Sequence, residues 1–325
     1  MVTVLISAPY MLPTMERFRP VFESFGIEVI VAEVNERLEE AELLAYAGQF
    51  EGVICGDDRF TERVIAACLP RLKVISKWGT GIDSIDRAAA ARLGVKVCNT
   101  PNAFTLPVSD SVLGYMLDFV RRLHWMDREV KEGNWKKLMG KSLSECTLGV
   151  VGVGNVGKAV LRRARGFGMR LLGNDIVPIA PDFLLENGVT MTSLKHLLQN
   201  SDFVSINCDL NPTSYHLINA ETLSWMKPEA VLINTARGPI VDEPALVAAL
   251  QDNWIGGAAL DVFEYEPLTA SSPLLKMDNV LLAPHNANSS PAAWERVHWN
   301  SIRNLLEALG MDAAPLKKWM ETNKD

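Results

Sequence analysis

The sequence predicts an α/β protein made of two doubly wound parallel-sheet domains. Over the first hundred residues, short apolar segments rich in β-branched residues alternate with stretches of helical spacing, and the same alternation starts again near Thr147. Strands separated by helices form parallel sheets that are covered on both faces. The length of 325 residues also exceeds the size of one typical core.

Five strands are predicted in the first part of the chain, because each candidate is short, apolar and bounded by glycine or polar residues. They lie at residues 2–7, 27–32, 52–56, 73–77 and 95–99. The stretches between them have helical spacing and provide the crossovers that a parallel sheet requires.

Six further strands are predicted in the second part of the chain by the same criteria. They lie at residues 148–153, 170–175, 203–207, 230–234, 257–261 and 280–283. A long apolar helix is expected at 109–123, between the two parts, and a closing helix is expected to end at Gly310. The polar tail after Gly310 is expected to be loose.

Composition and charge narrow the class of protein. A hydrophobic content of 48% and a charged content of 22% are typical of an ordinary globular protein, and a net charge of −7 disfavours nucleic acid as a partner. No segment approaches the roughly 18 apolar residues of a membrane span, and the N-terminus has no basic leader. The five cysteines lack C-x-x-C spacing, and no cluster has metal-ligand spacing. We therefore expect a cytoplasmic protein with no metal and no membrane partner.

Three glycines in a G-x-G-x-x-G spacing stand at Gly152, Gly154 and Gly157. Tight strand–helix turns also use this spacing for packing alone, so the surroundings decide its meaning. Here an apolar strand, TLGVVGVG, runs into the glycines, and the helical segment NVGKAVLRRARGFG begins at them. In that context Gly152 makes the turn, Gly154 lets the backbone approach a pyrophosphate and Gly157 allows close helix–strand packing. The motif predicts a dinucleotide site.

Asp175 stands eighteen residues beyond Gly157, at the end of the next predicted strand. A carboxylate at this place accepts hydrogen bonds from the adenosine ribose hydroxyls and repels a 2′-phosphate. The residues that follow, IVP, offer no arginine or lysine for such a phosphate. NAD is therefore favoured over NADP, and a strand-end cap is the alternative role of Asp175.

Arg237, Glu266 and His285 follow later strands of the same half. Because ligands bind at the carboxyl ends of parallel strands, all three can converge near a nicotinamide. Hydride transfer also needs one proton moved on or off an oxygen, which suits a histidine oriented by a carboxylate, while an arginine can grip a substrate carboxylate. Taken singly, each has an ordinary alternative: a surface charge, a solvated loop residue and a buried histidine.

The order of several long motifs resembles the D-isomer-specific 2-hydroxyacid dehydrogenases over nearly the whole chain. The motifs are SKWGTGIDSIDRAAAARLGVKVCNTP, TLGVVGVGNVGKAVLRRARGFGM, MKPEAVLINTARGPIVDEPALVAAL, GGAALDVFEYEPL and NVLLAPHNA. The resemblance implies a flavodoxin-like substrate domain, residues 1–100 completed by 290–325, and an inserted Rossmann NAD domain, residues 101–289. It also implies a homodimer formed through the NAD domains.

The resemblance assigns roles to the polar residues described above. Arg237 would hold the substrate carboxylate and carbonyl, and His285, paired with Glu266, would donate or accept the proton. Asp175 would bind the adenosine ribose, and Asp261 would meet the nicotinamide carboxamide. The other residues expected to contact the cofactor are Gly152, Gly154, Asn155, Val156, Gly157, Cys208 and Thr235.

The substrate carboxylate is expected to meet the backbone of Gly79, Thr80 and Gly81. Lys77 falls where phosphoglycerate-type members carry a basic residue that can meet a substrate phosphate, and a solvated strand-end lysine is the alternative. The predicted reaction interconverts a small D-2-hydroxy acid and its 2-oxo acid with NAD. Candidate hydroxy acids are 3-phosphoglycerate, glycerate and glycolate, the last two corresponding to hydroxypyruvate and glyoxylate reduction.

Asn102, Phe104, Asn286 and Asn288 depart from the family's usual pattern and leave the substrate open. A non-metabolic NAD-binding interaction protein, similar to a corepressor branch of the family, is the alternative from another class, and compact chain ends favour the enzyme over it. Oxidation of formate or phosphite on the same scaffold is less favoured, since the formate branch resembles a variant with glutamine in place of Glu266.

Overall fold

The computed structural model describes residues 1–322 of the chain. The chain folds into two compact units. The first unit contains Met1–Phe104 and the chain from Ser290 onward, and the second contains Thr105–Ser289.

The first unit is built on a five-stranded parallel sheet whose strand order is β2-β1-β3-β4-β5, the flavodoxin-like order. Its strands are β1 Val2–Ile6, β2 Ile27–Val31, β3 Gly52–Cys55, β4 Val74–Lys77 and β5 Lys96–Cys98. Its helices are α1 Met15–Ser24, α2 Glu40–Ala45, α3 Glu62–Ala67, α4 Arg87–Arg92, α12 Pro291–Ala308 and α13 Leu316–Thr322.

The second unit is built on a seven-stranded parallel sheet of order β12-β11-β10-β9-β6-β7-β8. Its strands are β6 Thr147–Val151, β7 Arg170–Asn174, β8 Val189–Met191, β9 Phe203–Ile206, β10 Val231–Asn234, β11 Gly257–Leu260 and β12 Val280–Leu282. Its helices are α5 Thr105–Arg121, α6 Leu123–Lys131, α7 Asn155–Gly166, α8 Pro181–Asn187, α9 Leu194–Asn200, α10 Ala220–Leu223 and α11 Glu243–Gln251. The predicted class of two doubly wound parallel-sheet domains is confirmed.

The direction of winding reverses between β6 and β9, which are neighbours in the second sheet. At such a point the loops leaving the two strands go to opposite faces of the sheet and open a crevice at its carboxyl edge. The strands themselves are buried on both faces: Phe203 packs into the apolar layer beneath α5 and α7, and its neighbour Val204 packs into the layer beneath α9 and α11. The strands that border the crevice are therefore held in place by apolar packing on both faces of the sheet.

Three sequence predictions need correction. The strand β8 was not predicted, because its three residues lie at the sheet edge and only Val189 is buried. The expected helix at 109–123 is instead two helices, α5 and α6, that meet at Arg122, which adopts a left-handed conformation with φ +56°. The chain after Gly310 is not wholly loose, because α13 forms there and buries Leu316.

No helix within residues 1–322 is both long enough and apolar enough to cross a membrane.

Candidate active site

The glycine turn joins β6 to α7, and Gly154 is the N-terminal cap of that helix. Packing accounts for the outer two glycines: Gly152 has φ +90° and a side chain there would clash with the backbone of Cys208, while a side chain at Gly157 would clash with the Gly152 carbonyl. A Cβ built on Gly154 meets no described atom within 4 Å. Gly154 thus leaves room for a group to approach the first N–H groups of α7, as a pyrophosphate would.

Asp175 lies beside this turn, just after β7. Its Oδ2 accepts a hydrogen bond of 2.6 Å from the N–H of Val153, and its Oδ1 accepts one of 2.9 Å from the N–H of Val177. Asp175 therefore does act as a strand-end cap, the alternative role that the sequence analysis gave it. A carboxylate has about four lone-pair positions, so acceptor capacity for ribose hydroxyls remains.

Two buried polar atoms at the same edge of the sheet have no hydrogen-bond partner among the described residues: Oδ1 of Asn207, after β9, and Oγ1 of Thr235, after β10. Buried polar atoms are almost always paired, so unpaired ones beside a crevice indicate a polar ligand. The adjacent Cys208 is a neutral thiol, since burial raises its pKa to about 11. Together with Gly154 and Asp175, these atoms fit a dinucleotide.

Asp261 follows β11 and fixes the backbone that carries His285. The N–H of His285 donates to the Asp261 carbonyl at 2.7 Å, and the Asp261 carboxylate accepts from the N–H groups of Asn286 and Ala287 at 2.8 and 2.9 Å. His285 is thereby held in the left-handed region, with φ +51°. Burial raises the pKa of Asp261, and the hydrogen bonds from these N–H groups oppose that rise.

His285 and Glu266 form a pair. Nδ1 of His285 lies 2.9 Å from Oε2 of Glu266, and Oε1 of Glu266 accepts a hydrogen bond of 2.9 Å from the N–H of Phe263. Both side chains are about one-quarter exposed, 26% and 27%. Because Nδ1 faces the carboxylate, Nε2 is the ring nitrogen that we expect to exchange a proton with a substrate.

Arg237 stands in the turn after β10, where Asn234 shapes the backbone. The Asn234 side chain donates to the Arg237 carbonyl at 2.9 Å and accepts from the N–H of Ala236 at 3.0 Å. The Arg237 guanidinium donates to the Ala236 carbonyl at 2.9 Å and is half-buried. Asn234 was not among the predicted residues, although an asparagine at a strand end is a recognisable turn signal.

A second set of contacts that the sequence did not predict holds the loop preceding Glu266. Glu264 accepts from the N–H of Glu243 at 3.1 Å, Glu243 accepts from the N–H of Glu264 at 3.1 Å, and the His216 ring lies 2.8 Å from Glu264. At Gly238 the chain passes so close to the Phe263 carbonyl that no side chain fits. Asp261 and Glu266 lie on this loop, and their contacts bring His285, which follows β12, to the same place. The loop is also fastened to the turn that follows Arg237.

The other residues expected to bind substrate lie in the first unit, at the end of β4 and just after it. Gly79 has φ +126°, its carbonyl accepts from the N–H of Thr100 at 2.9 Å, and the Thr80 hydroxyl donates to the Thr100 carbonyl at 3.1 Å. Gly79 is buried, Gly81 is half-buried and Thr80 is exposed. Lys77 is not a solvated lysine, because its side chain is only 5% exposed.

The four residues that depart from the family pattern occupy different settings. Asn102 is exposed and left-handed, with φ +63°, and Phe104 is buried against Gly79. Asn286 is exposed and Asn288 is half-buried, both in the segment held by Asp261. Within residues 1–322, no group of three or more His, Cys, Asp or Glu side chains is arranged to hold a metal ion.

Known proteins similar to this chain share one family. The family model "D-isomer specific 2-hydroxyacid dehydrogenase, NAD binding domain" matches residues 113–287. A glyoxylate reductase of Korarchaeum cryptofilum (strain OPF8) is 42% identical over 243 residues, covering 73% of this chain and 73% of that protein. A D-3-phosphoglycerate dehydrogenase of a Synechocystis strain is 37% identical over 278 residues, covering 83% of this chain and 50% of that protein.

Solved structures are similar over almost the full length. The crystal structure of the D-lactate dehydrogenase of Aquifex aeolicus, complexed with NAD and lactic acid, has a TM-score of 0.81 and 28% identity. The similarity covers 99% of this chain and 97% of that chain.

Proposed function

This chain belongs to the D-isomer-specific 2-hydroxyacid dehydrogenase family and is an NAD-dependent oxidoreductase, and from that premise we propose that it reduces small unphosphorylated 2-oxo acids such as glyoxylate and hydroxypyruvate. The observation that supports this most directly is the 2.9 Å pair of His285 and Glu266, which equips the chain for the proton step. Glyoxylate reductases among its relatives support the choice of substrate.

The cofactor is NAD, as the sequence predicts. Bound NADH supplies hydride to C2 of the 2-oxo acid, and NAD accepts it in the reverse direction. The residues proposed to hold the dinucleotide are Gly152, Gly154, Asn155, Val156, Gly157, Asp175, Cys208, Thr235 and Asp261. The N-terminus of α7 favours the negative pyrophosphate, and the charge of Asp175 disfavours a 2′-phosphate.

His285 is proposed as the proton donor during reduction. Glu266 faces Nδ1 and favours the imidazolium, so Nε2 can give its proton to the oxygen on C2 as that oxygen gains charge. In oxidation the neutral ring takes the proton back. Asp261 acts through the backbone, holding His285 in the conformation that the pair requires.

Arg237 is proposed to anchor the substrate. A guanidinium can bind a carboxylate through two parallel hydrogen bonds and polarise the adjacent carbonyl, which a lysine cannot do with the same geometry. The turn set by Asn234 fixes the backbone from which the guanidinium extends. On the first unit, the backbone of Gly79, Thr80 and Gly81 is proposed to contact a substrate carboxylate.

The test is a panel of 2-oxo acids with NADH, followed by NADH absorbance. We expect turnover of glyoxylate and hydroxypyruvate, and a loss of at least about 100-fold in kcat in His285→Gln, with NADH still bound. Failure to oxidise NADH with every 2-oxo acid, by protein that binds NADH, would overturn this function.

Oxidation of 3-phosphoglycerate is the second candidate, because D-3-phosphoglycerate dehydrogenases are 36% and 37% identical to this chain. The chain spans about half the length of those relatives. The same panel distinguishes the two, since 3-phosphohydroxypyruvate would then be the preferred oxo acid.

We also propose that the protein is a homodimer formed through the second unit. Apolar side chains of α6 and the segment after it are exposed, above all Trp135 at 90% and Met139 at 94%. Exposed large apolar groups in one region mark a protein interface. Light scattering should give twice the chain mass for the wild type, and a Trp135→Ala, Met139→Ala double variant should shift toward the monomer.

A cytoplasmic location is proposed on the basis of the cysteines. All five are unpaired, and Cys55, Cys68 and Cys146 are buried. Free thiols of this kind are characteristic of a reducing compartment.

A further inference from the structure

Lys77 ends β4 and is one of the few buried charges of the first unit. Its Nζ donates to the Trp78 carbonyl at 3.0 Å and lies 3.2 Å from Oδ1 of Asp57. An ammonium has three N–H donors, so two of them are already directed at protein oxygens. The positive charge that the sequence offers at this place is therefore neutralised by a carboxylate of the same unit.

A second carboxylate lies next to the pair. Asp57 and Asp58 follow β3, the strand beside β4, and Asp58 is fully buried. Asp58 accepts hydrogen bonds from the Ser7 hydroxyl at 2.5 Å and from the N–H of Leu38 at 2.7 Å. Asp57, Asp58 and Lys77 thus form a charge cluster with two acids and one base.

The net charge of this cluster depends on Asp58. Burial raises the pKa of Asp58 to about 6, against the opposing effect of its two hydrogen bonds and of Lys77. Burial and the neighbouring acids raise the pKa of the adjacent Cys55 thiol, which stays neutral. Above about pH 6 the cluster is therefore net negative, since it then contains two carboxylates and one ammonium.

This cluster stands directly behind the turn proposed to receive the substrate carboxylate. A Cβ added at Gly79 would lie 3.4 Å from Nζ of Lys77, so the ammonium stands beside the turn, on the side to which a side chain at residue 79 would point. All of these groups are at the carboxyl edge of the same parallel sheet, the edge at which open α/β sheets bind ligands. A charged group of the substrate near this turn would therefore interact electrostatically with the cluster.

On the basis of the function proposed above, we propose that Asp57 is a specificity-determining residue that makes this enzyme reject phosphorylated 2-oxo acids. A phosphate dianion would have to draw Lys77 away from Asp57 and would leave that carboxylate facing the phosphate. A substrate with a short uncharged tail can bind while Lys77 stays paired with Asp57. The substrates are therefore 2-oxo acids that carry a single negative charge.

The experiment compares hydroxypyruvate with 3-phosphohydroxypyruvate, two substrates that differ only by the phosphate, using NADH at pH 7.5. For the wild type we expect kcat/KM to be at least about 100-fold lower for the phosphorylated acid. In Asp57→Asn, Lys77 loses its charged partner. The ratio of kcat/KM for hydroxypyruvate to kcat/KM for 3-phosphohydroxypyruvate should then fall by about tenfold or more, while turnover of hydroxypyruvate stays within about threefold of the wild-type value. Asp57 is 38% exposed, so this change is compatible with folding.

Two control variants separate local charge from other effects. Asp57→Glu keeps the carboxylate and should keep the discrimination. Glu28→Gln makes the same change in net charge at an exposed position of β2, paired with Thr3 at the start of β1 and so toward the opposite edge of the sheet, and should not alter the ratio.

Each outcome has one meaning. Equal use of both acids by the wild type, or an unchanged ratio in Asp57→Asn, would overturn the role of Asp57 while leaving the oxidoreductase function intact. Absence of turnover with either acid and with glyoxylate would instead remove the proposed function itself.

Discussion

Nδ1 of His285 and Oε2 of Glu266 lie 2.9 Å apart, and the second oxygen of that carboxylate is held by the N–H of Phe263. In Glu266→Gln the ring loses the negative charge that favours the imidazolium. We expect reductive kcat at pH 7 to fall by about 10- to 100-fold, and the alkaline decline of reduction to begin at lower pH. The measurement is kcat with NADH and glyoxylate from pH 5 to 9.

The loop that carries Glu266 supplies a comparison. Glu264→Gln changes a carboxylate that contacts His216 and the backbone of Glu243. If Glu264→Gln lowers activity, the pH at which the reductive kcat declines should remain that of the wild type. If Glu266→Gln and Glu264→Gln gave the same pH profile as the wild type, Glu266 would be a structural residue only.

Asp175 both caps the glycine turn and, in our proposal, selects NAD. Asp175→Asn keeps an amide oxygen for one backbone N–H and removes the charge. We expect NADH to bind about tenfold more weakly and NADPH to bind more tightly than to the wild type, measured by nicotinamide fluorescence. An unchanged preference for NADH would leave Asp175 with the capping role alone.

Gly154 is the one glycine of the motif that packing does not require. Gly154→Ala should fold with a melting temperature close to that of the wild type, because its φ of −74° lies outside the left-handed region that favours glycine and the space is open. Its methyl group would nevertheless stand where a pyrophosphate approaches, so the Kd for NADH should rise by at least about tenfold. Calorimetric titration with NADH measures this change.

Gly166→Ala is the matched control in the same helix. It also meets no atom within 4 Å, but it lies at the far end of α7 from the turn. We expect unchanged NADH affinity and a slight gain in stability from the reduced freedom of the unfolded chain. Equal effects of the two substitutions on NADH binding would contradict the assignment of Gly154.

The parts of the site that could be predicted are those formed by residues close together in the sequence. The strand, the glycine turn and the helix from Thr147 to Gly166 are contiguous, so the glycine spacing and the apolar pattern around it were together sufficient to predict them. Strand-end positions likewise led to Arg237 and His285, because parallel strands bring their carboxyl ends to one edge. Pairing of His285 with Glu266 was expected from the family resemblance, and the structure places the two in contact.

Residues whose partners are distant in sequence could not be found this way. Asp57 meets Lys77 only because β3 and β4 are adjacent in the sheet, and His216 is separated from Glu264 by 48 residues. No periodicity or motif encodes such contacts. The same reason applies to α13, whose Leu316 is buried by tertiary packing in a segment of polar composition.

His298 gives a stability prediction independent of catalysis. Its Nδ1 accepts a hydrogen bond of 2.9 Å from Nε1 of Trp78, and burial lowers its pKa to about 4. The unfolded chain binds a proton near the ordinary value of 6.5, so the histidine's stabilising contribution is complete above that pH and is lost as pH falls toward 4. Between pH 7.5 and 5 this loss is about 2 kcal/mol.

His298→Gln retains a hydrogen-bond acceptor for Trp78 and cannot take up a proton. Asp58 has the opposite linkage, because its raised pKa adds stability as pH falls from about 6 toward 4, but it is present in both proteins and cancels in the difference. Urea unfolding at pH 7.5, 6 and 5 should therefore show the wild type losing about 2 kcal/mol more than the variant. Parallel pH dependences would mean that the buried imidazole is protonated as readily in the folded chain as in the unfolded one.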